Sequence, residues 1–253
     1  MNDENGKDLL ALLNKKSISE ELFQVNEKPT GTVEVSLNDQ GVPEYHIHEN
    51  VAWDFIRWDS AFHQSISETD IICFGSLAQR NRISRESIVR MLKSAGPDTL
   101  IVFDINLRQH YFNKEIIENS LQSCQVLKLN GEELQVLAGL FGLTGKSEEA
   151  QLIDLMDHYN LQLLALTHGS QGSLLMTPSE KSYLPTPMVQ VKDTVGAGDS
   201  FTAAMIVGFA KGEPLNVLHQ KAVDISAFVC TQEGAMPEYN EIEIYRKPYK
   251  WKT

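Results

Sequence analysis

The residues richest in chemistry form one run, Asp193-Thr194-Val195-Gly196-Ala197-Gly198-Asp199-Ser200-Phe201. Its Gly-Ala-Gly core leads into a helical pattern with an apolar stripe of Phe201, Ala204, Met205 and Gly208. Residues this small let backbone N–H groups approach a ligand closely. The first turn of a helix adds unpaired donors and a positive partial charge. The combination is a pocket for an anion. Asp199 stands at its mouth. Aspartate at a helix start can act only as a cap. A carboxylate inside an anion pocket is also a base aimed at a phosphoryl acceptor. The residues alone leave both roles open.

Other constellations carry less. Gly142-Leu143-Thr144-Gly145-Lys146-Ser147 suggests a phosphate loop, but that pattern needs glycine where Leu140 stands and a strand where Glu132 to Phe141 reads as helix. A loop and helix cap is expected there. His46 and His48 share a strand face without a third ligand at metal spacing, so a solvated face is expected. Trp53 and Trp58 read as core anchors, and Met176, Met188 and Met205 as core or edge filler. Cys73, Cys124 and Cys230 have neither metal nor redox spacing and are expected to be buried, reduced thiols of a cytoplasmic protein.

Thirty-four acidic against twenty-two basic residues give a net charge of −12, which repels phosphate backbones and argues against nucleic acid as a partner. Apolar stretches such as Leu161 to Leu166 are far short of a membrane span, so no membrane partner is expected. The polar, acidic start, Met1-Asn2-Asp3-Glu4-Asn5, reads as neither a secretory signal nor a transit peptide.

The elements that must position the Gly-Ala-Gly run follow from the periodicity. Lys7 to Leu13 predicts a short helix. Thr32 to Leu37 alternates, with Val33, Val35 and Leu37 on one face, and predicts a half-buried strand; Asn38 to Gly41 is turn chemistry and Glu44 to His48 alternates again, so the pair reads as an antiparallel hairpin. Asp70 to Leu77, Thr99 to Asn106, Gln125 to Asn130 and Leu161 to Thr167 are short apolar runs of the kind buried on both sheet faces. Helical stretches Ser84 to Ser94, Glu115 to Ser123, Glu132 to Ala138 and Ser147 to Tyr159 separate them, which predicts right-handed crossovers and a mainly parallel sheet between helices. Gly172 to Thr177 and Lys181 to Pro185 read as edge hairpin strands. Helices Ser200 to Lys211 and Leu215 to Thr231 close the pattern, with Gly212 and Gly234 as their stops.

The central run resembles the C-terminal signature of the ribokinase-like (PfkB-type) carbohydrate kinases, Asp-Thr-x-Gly-Ala-Gly-Asp. Lys128-Leu129-Asn130-Gly131-Glu132-Glu133 is similar to that family's Asn-x-x-Glu element, and Thr167-His168-Gly169-Ser170-Gln171-Gly172 to its Thr-x-Gly-x-x-Gly turn. Phe103 to Arg108, Pro29 to Val33 and Val51 to Phe55 resemble the fructokinase branch. The resemblance implies a three-layer α/β fold over residues 1–253 as a single kinase domain, with a β lid hairpin at 30–50. It implies ATP and a small sugar such as fructose as partners. Asp199 would be the base, with N–H groups of Gly196, Ala197 and Gly198 facing the transferring group. Asn130 and Glu133 would lie near the nucleotide, Glu133 organising Mg²⁺ through water, and Thr167, Gly169 and Gly172 would line the nucleotide groove. Arg108 would contact sugar or phosphate, its alternative being a surface ion pair. Asp193, with carbonyls at Val195, Val229 and Gly234, would form a site for K⁺, its alternative being turn formation.

The family usually carries a further N-terminal segment with a Gly-Gly motif bordering the sugar, which this sequence lacks. The expectation is a chain of low stability or one that self-associates, as a homodimer or otherwise. A nucleotide-binding protein without sugar kinase activity is the competing reading, and a nucleoside kinase of the same fold a weaker one.

Overall fold

The computed structural model describes residues 3–37, 43–239, 244 and 250–251. The chain divides into two compact units, Met1–Thr99 with Leu107–Ile116, and Leu100–Asn106 with Ile117–Thr253.

The first unit opens with helix α1 (Glu4–Lys15). Asp3 caps it by accepting the Gly6 N–H at 2.8 Å, and also accepts from the N–H and hydroxyl of Thr30. These bonds hold the Asp3 carboxyl down at about 2. Strands β1 (Val33–Leu37) and β2 (Pro43–Ile47) pair antiparallel, Val33 opposite Ile47, as the alternation predicts. The expected turn at Asn38 to Gly41 lies outside the described residues. Val33 is 52% exposed, so the strand is not half-buried at that position; a two-stranded ribbon cannot cover its own apolar face. His48 pairs with Glu34 at 3.2 Å, with His46 edge-on to its ring.

Helix α2 (Ser60–Ser67), strand β3 (Ile71–Phe74) and helix α3 (Arg82–Ser94) follow. Strand β3 is not buried on both faces as expected, and its Cys73 is an exposed thiol, not a buried one. A buried ion pair anchors this unit. Arg80 donates from Nε and Nη2 to the two oxygens of Asp54, both at 2.8 Å, and its guanidinium lies 4.0 Å from the Trp53 ring and 4.7 Å from that of Tyr111.

The second unit holds the sheet that positions the chemistry. Strands β4 (Leu100–Asp104), β5 (Val126–Asn130) and β6 (Leu163–Thr167) run parallel. Helix α4 (Lys114–Ser123) connects the first two; α5 (Gly131–Phe141) and α6 (Glu148–Tyr159) lie between the second and third. Val102, Phe103, Val126, Leu127, Leu129, Leu163 and Leu164 are fully buried, which is why their sequences read as continuous apolar runs. Strands β7 (Ser173–Met176) and β8 (Lys181–Leu184) extend the sheet antiparallel. Of the two expected edge strands only β8 is one; β7 pairs on both sides and is largely buried. Ser147 caps α6 through the Ala150 N–H, so the Gly142–Ser147 stretch is a loop and cap.

Strand β9 (Pro187–Met188) leads to helices α7 (Ala197–Ala210) and α8 (Leu215–Cys230); β10 (Lys250–Trp251) pairs with β9. Gly212 follows the α7 cap with φ +69°, as a helix stop should. Gly234 does not stop α8, which is already capped at Thr231. Among the described residues no helix is long and apolar enough to cross a membrane.

Gly208 lets α7 and α8 approach: a Cβ there would lie 2.6 Å from Cβ of Leu218. Gly208→Ala gains about 1 kcal/mol of helix propensity, but overpacking a tight contact costs about 1–3 kcal/mol. The substitution should therefore lower the urea midpoint. A raised midpoint would show that the helices are not in such close contact.

Candidate active site

Loops at the carboxyl ends of parallel strands are where α/β sheets bind ligands. Here Asp104 ends β4, Asn130 ends β5 and Thr167 ends β6. The ladder sets Asp104 opposite Lys128 and Asn130 opposite Thr167.

The Gly-Ala-Gly run enters α7 through Gly196, which caps the helix with φ +80°. A Cβ at Gly196 would lie 2.5 Å from the carbonyl oxygen of Ala235, so this position needs glycine for both conformation and space. Ala197 turns its N–H back onto the Thr194 carbonyl at 3.3 Å. The N–H groups of Gly196, Gly198 and Asp199 take no acceptor among the described residues. At this helix start the unpaired N–H groups among the described residues are therefore those of Gly196, Gly198 and Asp199, while that of Ala197 is engaged. Asp199 occupies the first turn of α7. Its carboxylate is exposed and has no hydrogen-bond or ion-pair partner among the described residues. It does not act as the cap; Gly196 does, without a side-chain bond.

Beneath this turn lies a polar network that the sequence analysis missed. Lys128 Nζ donates to Asp104 Oδ1 at 3.0 Å, and the Thr202 hydroxyl donates to Asp104 Oδ2 at 2.8 Å. Lys128 and Asp104 are both nearly buried. A Cβ on Gly198 would lie 3.4 Å from Lys128 Nζ, so this cation stands beside the start of α7.

Asn130 and Glu133 form a reciprocal cap on α5. Asn130 Oδ1 accepts the Glu133 N–H at 2.9 Å, and Glu133 Oε2 accepts the Asn130 N–H at 2.8 Å. Glu133 is only 5% exposed. The cap thus commits Asn130 Oδ1 and Glu133 Oε2 to the backbone at the start of α5. Among the described residues there is no group of three or more His, Cys, Asp or Glu placed to hold a metal ion. His168, paired with Glu148 at 3.1 Å, lies against Gly131 at the same helix start.

A cavity of about 570 Å³ runs from the turn after β6 to the start of α7. Thr167, Gly169 and Gly172 line it together with Ala197 and Gly198. Gly172 has φ +139°, and a Cβ there would lie 2.6 Å from the Leu184 carbonyl. Asn130, Glu133 and Asp199 are not part of its lining.

Asp193 ties two loops together. Its Oδ1 accepts the Val195 N–H at 3.0 Å and its Oδ2 the Gly234 N–H at 3.2 Å. These bonds lower its carboxyl below the usual aspartate range, the Val195 bond most. Asp193, Val195 and Gly234 are thereby gathered at one place. Val229 lies in the last turn of α8, where its carbonyl accepts the N–H of Gln232.

The model of the pfkB family carbohydrate kinases matches residues 2–242. This chain belongs to the PfkB family of carbohydrate kinases. It is therefore a phosphotransferase. An uncharacterized sugar kinase of Pyrococcus horikoshii is 28% identical over 262 residues, covering 97% of this chain and 78% of that protein. Its crystal structure superposes with a TM-score of 0.76 over 92% of this chain and 75% of that one. A fructokinase of Vibrio alginolyticus is 27% identical over 248 residues, 92% of this chain and 78% of its own. The fold is also that of Vibrio cholerae fructokinase, solved with fructose, ADP and calcium, at TM-score 0.78 and 23% identity over 97% of this chain and 82% of that chain. The ribokinase-like α/β fold expected from the sequence is the fold of this kinase.

Arg108 belongs to the first unit, is exposed, and bonds the Leu107 carbonyl at 3.4 Å. The kinase also contains a buried imidazole that the sequence analysis passed over. His219 is 0% exposed, with Nε2 at 2.8 Å from the Ser173 hydroxyl and Nδ1 at 2.9 Å from that of Ser182. Ser173 and Phe201, both in the cavity lining, contact it. Burial lowers its pKa from 6.5 to about 4.

Because the folded value lies below the unfolded one, the unfolded chain takes up the proton first. His219 thus contributes stability that is complete above about pH 6.5 and is lost as pH falls towards about 4, by up to about 3 kcal/mol. His219→Gln should be less stable than the parent at pH 7 yet lose less between pH 7 and 4.5, as urea unfolding would show. Equal losses in the two proteins would contradict a buried neutral His219.

Proposed function

We propose that the chain transfers the γ-phosphoryl group of ATP to a hydroxyl of a small sugar, fructose or a related hexose, in the cytoplasm. The observation that carries this is the uncommitted Asp199 carboxylate in the first turn of α7, beside three unpaired N–H donors. The sugar hydroxyl oxygen forms the new bond to the γ-phosphorus as the bond to the departing ADP oxygen breaks. The hydroxyl proton passes to Asp199. N–H groups of Gly196 and Gly198 meet the charge on the transferring group, and Lys128 adds a positive charge behind them. Phosphoryl transfer depends mainly on such positioning and charge stabilisation. Thr167, Gly169 and Gly172 contact the nucleotide, and Arg108 the sugar or a phosphate.

Glu133 would hold a water of a Mg²⁺ ion, with Asn130 beside it. That ion would neutralise charge on the phosphates. Asp193 and the carbonyls of Val195, Val229 and Gly234 would hold K⁺. The support is an Asp193 carboxyl that stays anionic and joins both loops.

Asp199→Asn should lower kcat for fructose phosphorylation by at least about 100-fold while ATP binding persists. Retention of more than about a tenth of the parent rate would remove Asp199 as the base. ATP binding without sugar phosphate formed by the parent would leave only a nucleotide-binding protein.

Glu133→Gln separates cap from metal, because glutamine also completes a capping box. The melting temperature should hold while the Mg²⁺ concentration for half-maximal rate rises. An unchanged Mg²⁺ titration would reject the metal role.

A further inference from the structure

We propose that the first unit carries a second anion site, a pocket for a phosphate group formed by Arg80, Arg85 and the starts of α3 and α4. The observation that carries it is a buried donor without an acceptor. The Arg80 side chain is only 5% exposed. Its Nε and Nη2 are taken by Asp54, and Nη2 also donates to the His48 carbonyl at 2.5 Å. Nη1 is buried and has no acceptor among the described residues. An ionised group buried with a donor unpaired is disfavoured, and an anion alongside would relieve it. Arg80 borders a cavity of about 240 Å³, together with Asn81, Arg85, His110 and Asn113. These residues belong to the first unit, and none of them is assigned to phosphoryl transfer.

Two helices begin at this cavity. Asn81 caps α3 by accepting the Ile83 N–H at 3.0 Å, and Asn113 accepts the Ile116 N–H at 2.9 Å in the first turn of α4. Each helix start carries a positive partial charge of about half a unit. Both amides spend their oxygen on the helix, which leaves their NH₂ groups facing outward as donors. Arg85 is half-buried in the first turn of α3, and its side chain has no hydrogen bond or ion pair among the described residues. Two carboxylates also border the cavity. Asp54 is spent on Arg80, and Glu49 accepts the Tyr111 hydroxyl at 2.8 Å. Arg80 balances Asp54 and Arg85 balances Glu49, so the two helix starts tip the cavity towards an anion. Guanidinium groups and helix starts are recurrent partners of phosphate, whose oxygens accept from several directions at once. The volume lies below the roughly 300 Å³ at which sites for drug-sized ligands begin, so it suits a phosphate group and not a whole nucleotide.

The test is calorimetric titration of the full chain with inorganic phosphate at constant ionic strength, comparing the parent with Arg85→Gln and Asn113→Asp. Arg85 makes no side-chain bond in the fold, and aspartate caps a helix as well as asparagine does. Both variants should therefore melt as the parent does without phosphate. In each, one phosphate site should weaken by at least about 10-fold, the effect of one lost charge-assisted hydrogen bond. Phosphate held at the start of α7 would titrate equally in all three proteins. Equal titrations, or no binding by the parent, overturn the inference and leave phosphoryl transfer untouched. Acetate that binds as tightly as phosphate and is weakened equally by the variants also overturns it, by making the site one for carboxylates. A hexose monophosphate weakened by the same factor as phosphate supports the site and places the group on an ester; one that is not weakened leaves free phosphate as its ligand.

Discussion

The backbone contact between Gly196 and Ala235 fixes where α7 begins, and the site depends on that start. No side chain fits between them, and the left-handed turn at Gly196 suits only glycine without strain. Asp193 fastens the same junction through the N–H groups of Val195 and Gly234. With its first residue held, α7 buries Phe201, Met205 and Ile206, and Thr202 reaches Asp104 at the end of β4. Local conformation, packing and one long-range hydrogen bond thus place the same three N–H donors.

The electrostatics are arranged in the same direction. A largely covered Lys128 would be costly alone, but Asp104 pairs with it and Thr202 satisfies the second carboxylate oxygen. The pair leaves a cation held beside Gly198, where the proposed phosphate would sit. Asp199 is the opposite case: exposed and unpaired among the described residues, it gives α7 no side-chain cap. A carboxylate that contributes so little to the fold is available for chemistry.

Much of this was legible in local pattern. The apolar runs of β4, β5 and β6 and the small residues before α7 each carry their signal within a few positions. The polar network was not, because Asp104 and Thr202 are separated by 98 positions and only the folded sheet brings them together. His219 was missed for the same reason, since both its partners lie on strands far from α8. Glu133 shows a different gap: Asn-x-x-Glu is both a local cap signature and the family's element, and the sequence alone does not separate the two roles. Strand β7 reads as an edge from sequence because only its hairpin pairing with β8 is local, whereas its second partner, β6, is set by the ladder.

The most direct test of the account is a crystal structure of this chain with a non-hydrolysable ATP analogue, Mg²⁺ and fructose. The terminal phosphate should accept hydrogen bonds from the N–H groups at Gly196 and Gly198, with an Asp199 oxygen within about 2.6–3.2 Å of one fructose hydroxyl. A terminal phosphate bound away from the start of α7, or an Asp199 turned from the sugar into a bond with its own helix, would contradict it.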